Sequence, residues 1–218
     1  VPVTWVGHPV IDQAHPSLNP EDARRRFGLN PWRRTVGLLP GSRPQEVARH
    51  LPVMLAAAER IAWRLPGIQF LLPRAPTIPV AMIDRHVRRT SIDVHIVEGP
   101  LADALQLMEA AVVASGTATL ETALAEVPMV VVYKASWPTY LAARMVIRIP
   151  HIAMVNVVAQ RAVVPELLQH RANPRRIAEA LTDLLRDDER CEAMKAGLRE
   201  VKRHLGPPGA VDRAARVV

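Results

Sequence analysis

The sequence predicts an α/β fold: a doubly wound, parallel, Rossmann-like sheet followed by C-terminal helices. Three observations predict it. Short β-branched runs alternate strictly with longer helical patterns between residues 35 and 155, and such alternation calls for crossover helices on both faces of a parallel sheet. Two loops of one design, Leu38-Leu39-Pro40-Gly41-Ser42-Arg43 and Ala114-Ser115-Gly116-Thr117-Ala118-Thr119-Leu120-Glu121, each fall where a strand gives way to a helix. Hydrophobic residues make up 49% of the 218, enough for a substantial core.

The elements follow in order. Residues 1–34 carry Gly7-His8-Pro9, Pro16, Pro20 and Pro31, and read as an incoming strand, a loop and a short helix. Thr35–Leu39 is the first sheet strand, and Gln45–Leu65 the helix after it, with Pro52 as an irregularity. Ile68–Leu72 and Val80–Arg89 form the next strand and helix, then Ile92–Val97 and Leu101–Glu109. Ala110–Ala114 leads into a helix over Thr117–Glu126, and Met129–Tyr133 into one over Pro138–Ile147. Ile152–Val155 is the sixth strand, and Pro165 opens a further helix with Glu166 in its first turn. Asn173-Pro174 is a cap followed by a first-turn proline, which starts a helix well. Gly206-Pro207-Pro208-Gly209 breaks the pattern before a last short helix. The chain divides into a crossing segment (1–34), a sheet domain (35–187) and a helical tail (188–218).

Composition narrows the function. The single cysteine, Cys191, rules out a disulfide framework or a cysteine zinc site. The eight histidines show no ligand spacing, so no metal and no cofactor are expected. The charge is +7, and only Lys134, Lys195 and Lys202 are lysine. Arginine excess fits either contact with an anionic surface or a GC-rich genome. Without a helix-turn-helix pattern or an aromatic platform, no nucleic-acid partner is expected. No apolar run is long enough to span a membrane. The chain begins Val1-Pro2-Val3 without methionine and reads as part of a longer protein.

The two glycine-serine loops carry the chemistry. In a parallel α/β sheet, ligands sit beyond the carboxyl ends of the strands. Gly41 lets backbone approach an anion, and Arg43 offers a guanidinium fork. The same loop also reads as a turn capped by Ser42, with Glu46 paired to Arg43 or completing a capping box. Ser115, Gly116 and Thr117 leave N–H groups uncovered at a helix start, which suits phosphate. Glu121, about one turn on, is placed to accept from sugar hydroxyls; alone it also reads as a first-turn acid. Two such loops at equivalent ends of one sheet favour the phosphate reading. Tyr133-Lys134 lies on the same edge. Asn156, Arg161 and the run Val164–Gln169 read either as contacts to a polar ligand or as helix-start chemistry. His8 reads either as a hinge residue facing a cleft or as a linker histidine.

Taken together, Val6-Gly7-His8-Pro9, Leu38–Arg43 with Glu46, Ser115–Glu121, Pro128 through Lys134, Asn156 and Val164–Gln169 resemble the lipid-A-disaccharide synthases, glycosyltransferases of GT-B architecture. The resemblance runs over residues 4–185 and covers only the C-terminal half of that family. It implies that the chain is the UDP-sugar-binding domain, with the N-terminal acceptor domain and its general base absent and Gly7-His8-Pro9 as the crossing. The implied reaction transfers 2,3-diacylglucosamine from UDP-2,3-diacylglucosamine to 2,3-diacylglucosamine 1-phosphate (lipid X), giving the β-1,6-linked disaccharide and UDP. Gly41, Ser42, Ser115, Gly116 and Thr117 would take the diphosphate, Glu121 the ribose hydroxyls, and Arg43 a phosphate or the uracil. Asn156, Arg161 and Gln169 would support the donor. Charge on departing UDP would be stabilised by N–H groups and a cation, without a metal.

Two departures stand out: Met154-Val155-Asn156 replaces the family's Leu-Pro-Asn, and Gln160 replaces a frequent glycine. Other GT-B enzymes using UDP-N-acetylglucosamine, such as a peptidoglycan transferase or a 2-epimerase, share the phosphate logic, as does a nucleotide-binding module without catalysis. The resemblance places the protein in the cytoplasm, peripheral to the inner membrane. By itself this half is expected to bind donor weakly and turn over negligibly. Leu198, Val201 and Leu205 repeat at helical spacing. With the N-terminal domain absent they are expected to form an exposed stripe, leading to self-association or fraying.

Overall fold

The computed structural model describes residues 3–135 and 151–217. Six parallel strands form one sheet: β1 (Thr35–Leu39), β2 (Gln69–Pro73), β3 (Val94–Val97), β4 (Ala110–Ala114), β5 (Met129–Tyr133) and β6 (Glu166–Leu168). Their order is β3-β2-β1-β4-β5-β6. Val36 pairs with Phe70 on one side and Ala110 on the other, so β1 and β4 are neighbours at the centre. Connections leave this pair in opposite directions, so the order reverses there.

Each face of the sheet has its own core, as period-2 alternation requires. Val36, Leu38, Phe70, Val112, Val130 and Val132 face one cluster, closed by α3 (Pro44–Arg64) and α8 (Pro174–Arg186). Leu71, Ala111, Val113, Met129 and Val131 face the other, closed by α6 (Ala118–Leu124) and α9 (Asp188–His204). Helix α3 starts at Pro44, whose missing N–H is no loss in a first turn, and it continues through Pro52. Helix α8 is capped by Asn173, whose side chain accepts from the Arg176 N–H at 3.0 Å. Helices α4 (Val80–Val87) and α5 (Leu101–Leu105) complete the crossovers.

Several expectations need correction. The segment 3–9 contains no strand; it leads into α1 (Val10–Gln13) and α2 (Pro20–Phe27). The helix expected over Pro138–Ile147 lies outside the described residues. The apolar run at Ile152–Val155 is not the sixth strand: helix α7 covers Met154–Ala159 and ends on Gln160 in the left-handed region, at φ 54°. A short run of β-branched residues is weak evidence for a strand when tertiary contacts decide otherwise. Pro165 opens not a helix but the edge strand β6. Its carbonyl accepts from the Val131 N–H at 3.0 Å, and its missing N–H costs nothing just ahead of an edge strand.

The tail is also corrected. Leu198, Val201 and Leu205 are fully buried, because α9 packs against α6 and α7 of the same chain. The stripe expected to drive self-association is part of the core. Truncating Leu198 to alanine is expected to cost about 2–5 kcal/mol, lowering Tm by roughly 4–20 °C. Arg203→Ala, on the exposed face of the same helix, is expected to stay within about 0.5 kcal/mol. Thermal denaturation of the two variants side by side checks this.

The tail also returns to the chain's beginning. The Asp12 carboxylate accepts from the Gly209 N–H at 2.6 Å and the Val211 N–H at 3.1 Å, capping α10 (Ala210–Val217). These backbone bonds hold the Asp12 carboxyl below its ordinary range. Arg213 donates to the carbonyls of Val6, Pro207 and Pro208, and the His8 N–H donates to the Leu205 carbonyl at 2.9 Å. Gly7, at φ +86°, allows this approach; a Cβ there would lie 3.1 Å from the Arg213 guanidinium.

Candidate functional site

The divergence of connections beside β1 and β4 opens a crevice at their carboxyl ends, where open α/β sheets bind ligands. A cleft of about 430 Å³ lies there, between the loop after β1 and the loop after β4.

The loop after β1 turns at Gly41, whose φ of +115° favours glycine. Glu46 folds back beneath it, and a Cβ at Gly41 would stand 2.6 Å from its carboxylate. That carboxylate accepts from the Ser42 N–H at 3.2 Å and from the Arg43 guanidinium at 2.9 Å. Glu46 therefore takes the pairing role considered for it; the capping box does not form, because the cap position of α3 is Arg43 and Ser42 does not cap the helix. The Thr77 hydroxyl donates to the Ser42 carbonyl at 2.6 Å and pins the loop from the other side. Arg43 remains 81% exposed despite its ion pair, so its guanidinium is accessible to a ligand.

The loop after β4 is held differently. The Ser115 N–H continues the sheet ladder to the Val132 carbonyl at 2.9 Å, and its hydroxyl donates to the Ile152 carbonyl at 3.2 Å. The N–H groups of Gly116 and Thr117 have no partner among the described residues. The Thr119 hydroxyl donates to the Gly116 carbonyl at 2.7 Å, which fixes the turn that presents them. Glu121 stands one turn further, half-buried, with no hydrogen bond or ion pair from its carboxylate among the described residues. Burial without a partner pushes its carboxyl up from the ordinary value.

Seven of the expected residues therefore share one cleft: Gly41, Ser42, Arg43, Ser115, Gly116, Thr117 and Glu121. Asn156, Arg161 and Gln169 do not line it. Asn156 is buried within α7, and its amide is fully used: it accepts from the Val163 and Val164 N–H groups and donates to the Val164 carbonyl and to Glu166. Arg161 pairs with Glu200 on α9. Gln169, at φ +49°, makes a two-way amide contact with the backbone of Ala135. Asn156 and Gln169 thus hold backbone on the β5–β6 side, and Arg161 ties the end of α7 to α9. His8 caps its own turn, its ring accepting from the Val10 N–H at 3.1 Å. Glu166, expected as a first-turn acid, instead accepts from the Ile152 and Ala153 N–H groups and ties the start of α7 to the edge strand.

One residue escaped the motif reading. His50 lies in the apolar stripe of α3 that includes Val47, Leu51 and Met54, yet it is only 2% exposed. Its Nδ1 is 3.1 Å from the Pro40 carbonyl, and its Nε2 accepts from the Lys134 N–H at 3.0 Å. A polar side chain inside an apolar helical stripe was its one signal. Beside it is a second hollow of about 590 Å³, which shares Arg43, Glu46 and Ser115 with the cleft and adds Arg49 and Lys134.

A family model described as Lipid-A-disaccharide synthetase matches residues 1–212. The chain belongs to that family. Among its relatives, the lipid-A-disaccharide synthase of Geobacter metallireducens is 43% identical over 218 residues, and that of Anaeromyxobacter dehalogenans (strain 2CP-C) is 44% identical over 219. Each alignment covers 100% of this chain and 57% of the relative, so the chain spans a little over half the length of these synthases. Solved structures with the same fold include a putative UDP-N-acetylglucosamine 2-epimerase from Listeria monocytogenes, with TM-score 0.64 and 13% identity over 96% of this chain and 50% of that one. WaaG, a glycosyltransferase involved in lipopolysaccharide biosynthesis, gives a TM-score of 0.57 at 13% identity over 97% of this chain and 54% of that one. These likenesses confirm the α/β architecture expected of a GT-B half; the synthetase family itself rests on the sequence match.

Proposed function

We propose that the cleft holds the nucleotide of a UDP-sugar donor, and that the protein is a lipid-A-disaccharide synthase of which this chain supplies the donor half. One observation carries the reading. A half-buried carboxylate, Glu121, stands one turn beyond two N–H groups, all three without a partner among the described residues, at the point where the sheet order reverses. Phosphate suits the N–H groups, and ribose hydroxyls suit the carboxylate. A nucleoside diphosphate supplies both.

In this reading Gly41, Gly116 and Thr117 let backbone approach the diphosphate, Ser42 and Ser115 frame it, and Arg43 turns from Glu46 toward it. As the sugar–phosphate bond breaks, negative charge grows on UDP. The aligned N–H groups lower that barrier without reorganising, and the Arg43 guanidinium adds its charge once it has turned. The acceptor and the group that deprotonates its 6-hydroxyl belong to the part of the synthase beyond this chain. The acylated sugars favour work at the cytoplasmic face of the inner membrane, through peripheral contact. No described helix is long and apolar enough to cross a membrane.

Calorimetric titration tests this reading. UDP is expected to bind saturably, and uridine roughly tenfold or more weakly, since charge-assisted bonds to the diphosphate are lost. A folded protein that binds neither would overturn the assignment.

A further inference from the structure

We infer that His50 is a positioning residue for the phosphate side of the cleft, a neutral clamp that holds the Pro40 end of the first loop and the Lys134 end of β5 at a fixed spacing. The inference rests on the donor-site reading above for its ligand, but on geometry for its mechanism. The Lys134 N–H donates to Nε2, so that nitrogen carries no proton. Nδ1 therefore carries the single proton and donates it to the Pro40 carbonyl. One ring thus joins the carboxyl ends of β1 and β5 across the intervening β4.

A histidine that merely filled space would leave these backbone groups to other partners. Here each of its ring nitrogens serves a different site-bordering segment. Pro40 immediately precedes Gly41. Lys134 lines the second hollow together with Arg43 and Arg49, next to Ser115. The backbone bond to His50 sets where the Lys134 ammonium emerges, and its other contact, to the Ala172 carbonyl at 3.4 Å, is long. The clamp therefore fixes the backbone from which Lys134 enters the hollow adjoining the diphosphate cleft.

Protonating the ring opens the clamp. An imidazolium has a hydrogen on Nε2 and cannot accept from Lys134. The charged groups facing the ring are Glu46 and Arg49 on its own helix and Lys134 across from it. Burial is the largest influence and favours the neutral form, and the two cations reinforce it against Glu46 and the Pro40 carbonyl. The ring's folded pKa is thus below 6.5. The clamp is intact above that value and is lost as pH falls through the lowered one.

The test is UDP and uridine titration of the parent, His50→Gln and His50→Leu between pH 5.5 and 8. His50→Leu, which leaves Pro40 and Lys134 unpaired, is expected to weaken UDP about tenfold at pH 8 and to change uridine less than about twofold. In His50→Gln the amide oxygen accepts from Lys134 and does not titrate. Its UDP affinity is expected to stay near the parent's at pH 8 and to fall less on acidification. UDP's own phosphate titrates in this window, and the difference between the two profiles cancels it. Folded His50→Leu protein with parental UDP affinity would overturn the inference. If the parent binds no UDP, the donor reading fails, and the clamp is judged by amide exchange. Exchange at Lys134 at least about tenfold faster in His50→Leu supports it, and unchanged protection overturns it.

Discussion

Replacing Glu121 by alanine is expected to weaken UDP binding by about 10–100-fold, the worth of hydrogen bonds to a charged acceptor. Glu121→Gln, which keeps the shape and loses the charge, is expected to weaken it roughly tenfold, as charge-assisted bonds are about twice as strong as neutral ones. The same glutamine is expected to leave the free protein at least as stable as the parent at neutral pH. The reason is the sign of the linkage. Unfolded, this carboxyl titrates near 4.5; folded, burial raises it. Between those values the folded state holds more protons, so stability falls as pH rises through the window. Above the raised value the native protein bears the cost of an ionised, half-buried group with no partner among the described residues. The amide removes that cost. Calorimetry with UDP and thermal denaturation at pH 7.5, run on one preparation, check both halves. Lost affinity with a parental or higher Tm marks a group kept for a ligand. A lower Tm with unchanged affinity would mark Glu121 as an ordinary helix-start acid.

Asn156→Ala is expected to show the opposite pattern. Its amide serves two N–H groups, a carbonyl and the Glu166 carboxylate inside the protein. Removing it strands the Val163 and Val164 N–H groups, each costing about 1–3 kcal/mol when buried and unpaired. The total is expected near 3–5 kcal/mol, or roughly 6–20 °C in Tm. Well below the melting range, UDP affinity is expected to stay within about threefold of the parent. A tenfold loss of affinity with an unchanged Tm would return Asn156 to direct contact with the donor.

The two residues show what the chain made legible and what it concealed. Strands such as Thr35–Leu39 and Met129–Tyr133 announce themselves because a strand buried on both faces is a near-continuous apolar run. The glycine-serine loops announce themselves because few other residues allow that backbone beside an anion. Asn156 and Gln169 have the same chemistry whether they face a ligand or their own backbone, and nothing in a linear sequence says which way an amide points. The edge strand at Glu166–Leu168 was concealed by its length of three residues and by Pro165, which suits a helix start and a strand start equally. The Leu198–Val201–Leu205 stripe was legible as a stripe, but whether its partner lies within the chain or beyond it is a tertiary fact. His50 needed both ends of its hydrogen-bond pair to be placed before it had a meaning.

The bonds from Asp12 and Arg213 across to the far end of the chain make the polypeptide a clasped ring. Trimming either end would therefore unfasten the other: without Arg213 the Val6 carbonyl loses its donor, and without Asp12 the first N–H groups of the last helix lose their acceptor.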